Sequence, residues 1–96
     1  MTHAEANALL LAHEAELREL GVGSVALFGS LVRGEIGTDS DVDVLVRFSK
    51  PVGLFEFLDT KAFLEQLFGV PVDLVTQDAL KPQLRERILA EAVPVA

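Results

Sequence analysis

The sequence predicts an α/β fold, a small mixed β-sheet of three to four strands with helices packed on it. Three observations point there. Short apolar or alternating runs (25–28, 41–47, 70–75) are interleaved with longer stretches whose apolar residues recur every three to four positions. Glycine or proline marks most junctions between them. The resulting order (helix, strand, short helix, strand, helix, strand, helix) is that of a sheet covered by helices. With 96 residues, half of them hydrophobic, the chain is expected to form one small domain, 1–96. Such a domain buries roughly 60–65% of its unfolded surface.

Residues 4–20 read as one helix. Leu10, His13, Leu17 and Leu20 share a stripe, and Gly21 suits the C-terminal cap. His13 reads as a packing residue, because no second His or Cys lies nearby to complete a metal site. Val25-Ala26-Leu27-Phe28 is fully apolar, as in a strand covered on both faces, and Gly29-Ser30 ends it. Residues 31–35 read as a short helix opening at Ser30, and 36–40, with Gly37, Thr38 and Asp39, as loop. Over 41–47, Val42, Val44 and Val46 face the core while Asp41, Asp43, Leu45 and Arg47 point the other way. After a turn at Pro51 and Gly53, residues 54–68 read as the second long helix, with a stripe of Leu54, Leu58, Leu64 and Phe68, flanked by Phe57 and Leu67. Residues 70–75 form a strand that sets Asp73 between Val72 and Leu74. Pro82 opens a final helix lined by Leu84, Ile88 and Ala92, with Lys81, Arg85 and Arg87 supplying positive charge. Residues 93–96 are a short tail or an edge strand.

Composition excludes several classes. There is no cysteine, so disulfides and thiolate metal sites are ruled out. No apolar run approaches the ~20 residues of a membrane span, and the N-terminus lacks the basic start and apolar block of a signal peptide. A soluble, cytoplasmic protein with no membrane partner is expected. The net charge of −7 argues against binding a nucleic-acid backbone through bulk electrostatics. Any nucleotide contact must be local and metal-mediated; a basic partner protein is another explanation of the acidity.

The chemistry concentrates in the acids. Asp41 and Asp43 lie two apart on one strand face, where like charges repel and Asp is a poor strand former. A bound cation would offset that cost; a solvated strand face is the alternative. Two carboxylates at this spacing suit Mg²⁺, as one ion or as a pair about 3.5–4 Å apart. Gly29 permits close approach of a ligand to the backbone, and Ser30 offers a hydroxyl and an N–H that suit a phosphate. Asp73 is either an edge-strand acid or the third member of a three-carboxylate site, able to assist proton removal from an attacking hydroxyl. Two look-alikes fail. Gly29 to Gly34 has the first spacing of a P-loop, but Glu35 replaces its lysine. Counted from Asp39 as a calcium loop, the sixth residue is Val44 rather than Gly and the twelfth is Lys50 rather than Glu.

Gly29-Ser30, ten residues, then Asp41-Val42-Asp43 resembles the signature of the DNA polymerase β-like nucleotidyltransferases. Arg33-Gly34, Asp39-Ser40, Val72-Asp73-Leu74-Val75 and the stretch Ala79-Leu80-Lys81-Pro82 to Arg85-Glu86-Arg87-Ile88 resemble its minimal, MntA-like antitoxin subgroup. The resemblance spans about residues 20–92 and implies the polymerase β-like nucleotidyltransferase fold. It implies that Asp41 and Asp43 bind Mg²⁺ ions holding the ATP phosphates, with Asp73 as third ligand and activator of the acceptor hydroxyl. Gly29 and Ser30 would contact the triphosphate; Arg33 would contact phosphate or form a surface ion pair. The implied reaction transfers AMP from ATP to a hydroxyl, usually of tyrosine, on a HEPN-type ribonuclease toxin. A hetero- or homo-oligomer is compatible with this. The chain leaves little room for an acceptor-binding domain, so the acceptor would arrive on a separate protein, and exposed Leu and Phe on the helices could serve that contact. Two rival readings are a non-catalytic module that masks a toxin and a nucleotidyltransferase subunit for a small-molecule acceptor.

Overall fold

In a computed structural model, which describes residues 2–29, 32 and 41–95, the chain forms a four-stranded sheet in the order β3-β2-β1-β4. The strands are β1 (Val22–Phe28), β2 (Val42–Phe48), β3 (Val72–Thr76) and β4 (Val93–Pro94). β1 runs antiparallel to β2 and to β4, and β2 runs parallel to β3. The helices are α1 (His3–Ala12), α2 (Glu14–Glu19), α3 (Leu54–Phe68) and α4 (Pro82–Glu91), with a 3₁₀ turn at Gln77–Ala79. The expected α/β class, the mixed sheet and the edge strand at 93–94 are all present. Of the 31–35 helix and the 36–40 loop read from the sequence, only Val32 is among the described residues, helical and partly buried against the core.

One face of the sheet carries the core. Leu27, Val42, Val44, Val46, Val72 and Leu74 pack there against Ala6 and Leu10 of α1, Leu17 of α2, and Leu64 and Phe68 of α3. Thr2 caps α1, its Oγ1 accepting from the Glu5 N–H at 3.1 Å. The single helix expected over 4–20 is divided at His13, whose φ of −114° and ψ of 25° leave the helical region. The His13 ring contributes to the break. Its Nδ1 lies 2.9 Å from the Leu9 carbonyl, which the backbone N–H of His13 also reaches at 3.2 Å. β1 begins three residues earlier than read, because Gly23 sits in an irregularity of register between Val22 and Ser24 that hides the strand period. β3 begins later than read, at Val72.

α3 has the bounds the sequence predicts, but its buried face is turned. Thr60, Leu64 and Phe68 are buried, with Phe57, Phe63 and Leu67 partly so. Leu54 and Leu58, read as members of the core stripe, are exposed. Thr60 reaches the core because its hydroxyl donates to the Glu56 carbonyl one turn back, at 2.8 Å. α4 buries no residue, so Leu84 is exposed rather than lining a core.

Connectivity indicates which face α4 crosses. β2–α3–β3 and β3–α4–β4 both join parallel strands but step in opposite directions along the sheet. Right-handed crossovers that step in opposite directions lie on opposite faces. α3 packs on the valine face, where no residue of α4 joins the core, which agrees with a right-handed path of α4 over the other face. Phe28 and Leu45 point to that other face by register, and they are 8% and 3% exposed. Among the described residues, no helix is long and apolar enough to cross a membrane.

Candidate active site

Asp43 is the second residue of β2 and Asp73 the second of β3, and the parallel ladder makes them direct partners. Adjacent strands lie about 4.8 Å apart, so the two carboxylates project side by side from the face opposite the valines. Asp41 precedes β2 by one residue and shares that side by the alternation of the strand. On the other flank, Phe28 of β1 pairs with Asp43 and delivers Gly29 to the same end of the sheet. Three strands thus converge on Asp43.

The valine face sets this register. Val42, Val44, Val72 and Leu74 are all buried. A one-residue slip of β2 or β3 would expose them and press the acids into the core. Two further hydrogen bonds clamp the entrance to β3. The Val42 N–H donates to the Pro71 carbonyl at 3.0 Å. The Val72 N–H donates to Glu65 Oε2 at 3.0 Å, tying the last turns of α3 to the residue before Asp73.

Gly29 has a φ of +77°, and a Cβ built there would overlap Asp43 Oδ2 and lie 2.8 Å from Asp43 Cγ. Glycine is required twice over, for the left-handed backbone and for the space the carboxylate occupies. Asp43 is half-buried, whereas Asp41 and Asp73 are exposed. As the side chains stand, no three His, Cys, Asp or Glu among the described residues converge closely enough to hold one ion. The pair that shares a register is Asp43 and Asp73. Its all-oxygen, anionic donors suit a hard cation such as Mg²⁺, which takes one or two carboxylates and completes its shell with water and phosphate.

Of the residues singled out in the sequence, Gly29, Asp41, Asp43 and Asp73 come to one end of one sheet face; Ser30 and Arg33 lie outside the described residues. Sequence reasoning missed Glu65. A signal was available, because an acid near a helix C-terminus opposes the helix dipole and calls for a local partner. That partner is the Val72 N–H.

Residues 12–95 match the family model described as a nucleotidyltransferase domain. The protein adenylyltransferase MntA of Thermococcus cleftensis is 44% identical over 96 residues, which cover 99% of this chain and 97% of that one. A solved structure described as a minimal nucleotidyltransferase is 39% identical, with a TM-score of 0.84 over 98% of this chain and 96% of the other. Two structures share the fold at lower identity. One, a toxin–antitoxin with AMP-PNP, has a TM-score of 0.77 at 18% identity, covering 94% of this chain and 72% of that one. The other is a tri-AMPylated Shewanella oneidensis HEPN toxin in complex with an MNT antitoxin, with a TM-score of 0.69 at 16% identity, covering 95% and 71%.

Proposed function

The chain belongs to the nucleotidyltransferase domain family, and from that premise we propose that it transfers AMP from ATP to a hydroxyl, expected to be a tyrosine, of a HEPN-type toxin and thereby acts as its antitoxin. The observation that carries the reading is the direct pairing of Asp43 with Asp73 beside Gly29. Ordinary strands do not set two carboxylates against each other and then press a glycine onto one of them. The relative named as a protein adenylyltransferase supports the choice of reaction. The toxin–antitoxin structures that share the fold support the choice of acceptor.

The acceptor oxygen attacks the α-phosphorus of ATP, and the bond from that phosphorus to the bridging oxygen of the β-phosphate breaks. Pyrophosphate leaves with the electron pair, and the acceptor proton passes to a carboxylate, here assigned to Asp73. Asp41, Asp43 and Asp73 are the residues to hold Mg²⁺, two ions in this reading. When bound, the metal supplies charge neutralisation at the triphosphate and orientation of its oxygens. The chain's own contribution is mostly positioning. The valine face and the Glu65 clamp fix the acids, while Gly29 leaves room for the Asp43 carboxylate. Ser30 and Arg33 are assigned to the triphosphate together with the Gly29 backbone. We further propose that it works in the cytoplasm with its toxin, as a single domain over 1–96.

The test is the intact mass of the purified toxin after incubation with this protein, ATP and Mg²⁺. One or more adenylyl increments, absent with Asp43→Asn, are expected. A toxin that is inhibited but unmodified would show masking instead of catalysis.

A further inference from the structure

α3 is apolar on two sides. Its inner face, carrying Thr60, Leu64 and Phe68, fills the core. Its outer face begins with Leu54, Phe55 and Leu58, which are 68%, 80% and 47% exposed. Positions 54 and 58 are one turn apart and 55 lies beside them, so the three form one patch. A contiguous exposed apolar patch marks an interaction site. We propose that the Leu54–Phe55–Leu58 patch is the surface on which the toxin docks, with Phe55 as its anchor. The proposal rests on the reading of the partner given above.

Charge decides between a toxin and a second copy of this chain. The concavity beside the patch, between the end of α2, the β2–α3 connection and α3, is lined among the described residues by Glu19, Glu56 and Asp59 against one cation, Lys50. A two-fold contact between copies would set this acidic rim against itself on chains of net charge −7. The complementary partner presents apolar side chains ringed by Lys and Arg.

Position separates docking from catalysis. α3 starts where β2 ends and runs back to the start of β3, so its first turn lies at the end of the sheet opposite Asp43 and Asp73. A 15-residue helix spans about 22 Å. The patch therefore does not overlap the acids, and binding through it leaves them uncovered at the contact itself.

Titration calorimetry of the full chain with the purified toxin, without ATP, tests this. The free chain is expected to be a monomer by light scattering. Phe55→Ser should weaken toxin binding about tenfold or more, as loss of a central aromatic anchor does, and Leu54→Ser should weaken it in the same direction. Asp59→Lys should slow association, by a factor that shrinks as salt rises. Asp43→Asn should bind the toxin like the wild type. The proposal is overturned if Phe55→Ser binds within about twofold of wild type, a difference too small for an anchor, if the wild-type chain does not bind the toxin, or if the free chain is a dimer that Phe55→Ser dissolves. A toxin that binds through Phe55 yet gains no adenylyl group would refute the proposed reaction and leave the surface standing. Equal binding and equal modification with Phe55→Ser would do the reverse.

Discussion

Replacing Gly29 with alanine tests the architecture of the acidic end at one atom. Two costs add. The backbone φ of +77° becomes left-handed for an L-residue, worth about 1–2 kcal/mol. The new methyl also stands 2.8 Å from Asp43 Cγ and 3.1 Å from its Cβ, so the Asp43 side chain must leave its rotamer, for about a further 0.5–1.5 kcal/mol. Gly69 separates the two contributions. It has a φ of +72° and nothing within 4 Å of an added Cβ, so Gly69→Ala carries the backbone cost alone. Urea unfolding should show Gly29→Ala less stable than Gly69→Ala by roughly the rotamer cost, 0.5–1.5 kcal/mol. The larger effect falls on activity. A misplacement of this size costs on the order of 10²-fold in rate, so transfer by Gly29→Ala should fall by about that factor while Gly69→Ala keeps the wild-type rate. A folded Gly29→Ala protein with wild-type transfer would refute the claim that this glycine makes room for a working carboxylate.

Other perturbations follow from the same contacts. Glu65→Ala leaves the Val72 N–H without its acceptor and should cost about 1–2 kcal/mol in chemical denaturation. Because Val72 adjoins Asp73, the transfer rate should fall more than a stability loss alone explains, and Glu65→Gln, which keeps an acceptor oxygen, should restore most of it. Leu64→Ala removes a fully buried side chain from the contact between α3 and the sheet and should cost about 2–5 kcal/mol by calorimetry or urea melting. Arg18→Ala breaks the exposed ion pair with Glu14 and should change stability by less than about 0.5 kcal/mol.

Much of the fold was legible because its signals are local. Gly53 and Gly69 bracket α3 at its observed bounds, and Pro82 opens α4 as read. The alternation of valine and acid also survives, because Val42, Val44 and Val46 are buried while Asp43 is half-buried and Asp41, just before β2, is exposed. What failed was the orientation of α3. Leu54 and Leu58 are the more hydrophobic residues, yet Thr60 is buried in their place. Its hydroxyl is satisfied within its own helix, which makes its burial inexpensive, and hydropathy does not register that. The break at His13 coincides with a side-chain contact to the Leu9 carbonyl that periodicity does not register. At the site, the two-residue spacing of Asp41 and Asp43 was visible, and the apposition of Asp73 was an expectation that the β2–β3 register meets. Glu65 carried a local signal, an acid near a helix C-terminus, but its partner, the Val72 N–H, depends on where α3 ends relative to β3. That relation is tertiary.

In the proposed reaction this chain moves an adenylyl group, and Asp43 and Asp73 act together in moving it. The direct measurement supplies ATP labelled either on the α- or the γ-phosphate, with Mg²⁺ and the toxin, to wild-type, Asp43→Asn and Asp73→Asn proteins. The expected result is α-label on the toxin with the wild type, no γ-label with any protein, and loss of the α-label in both variants while each remains folded. Label from the γ-position, or α-label undiminished in both variants, would contradict it.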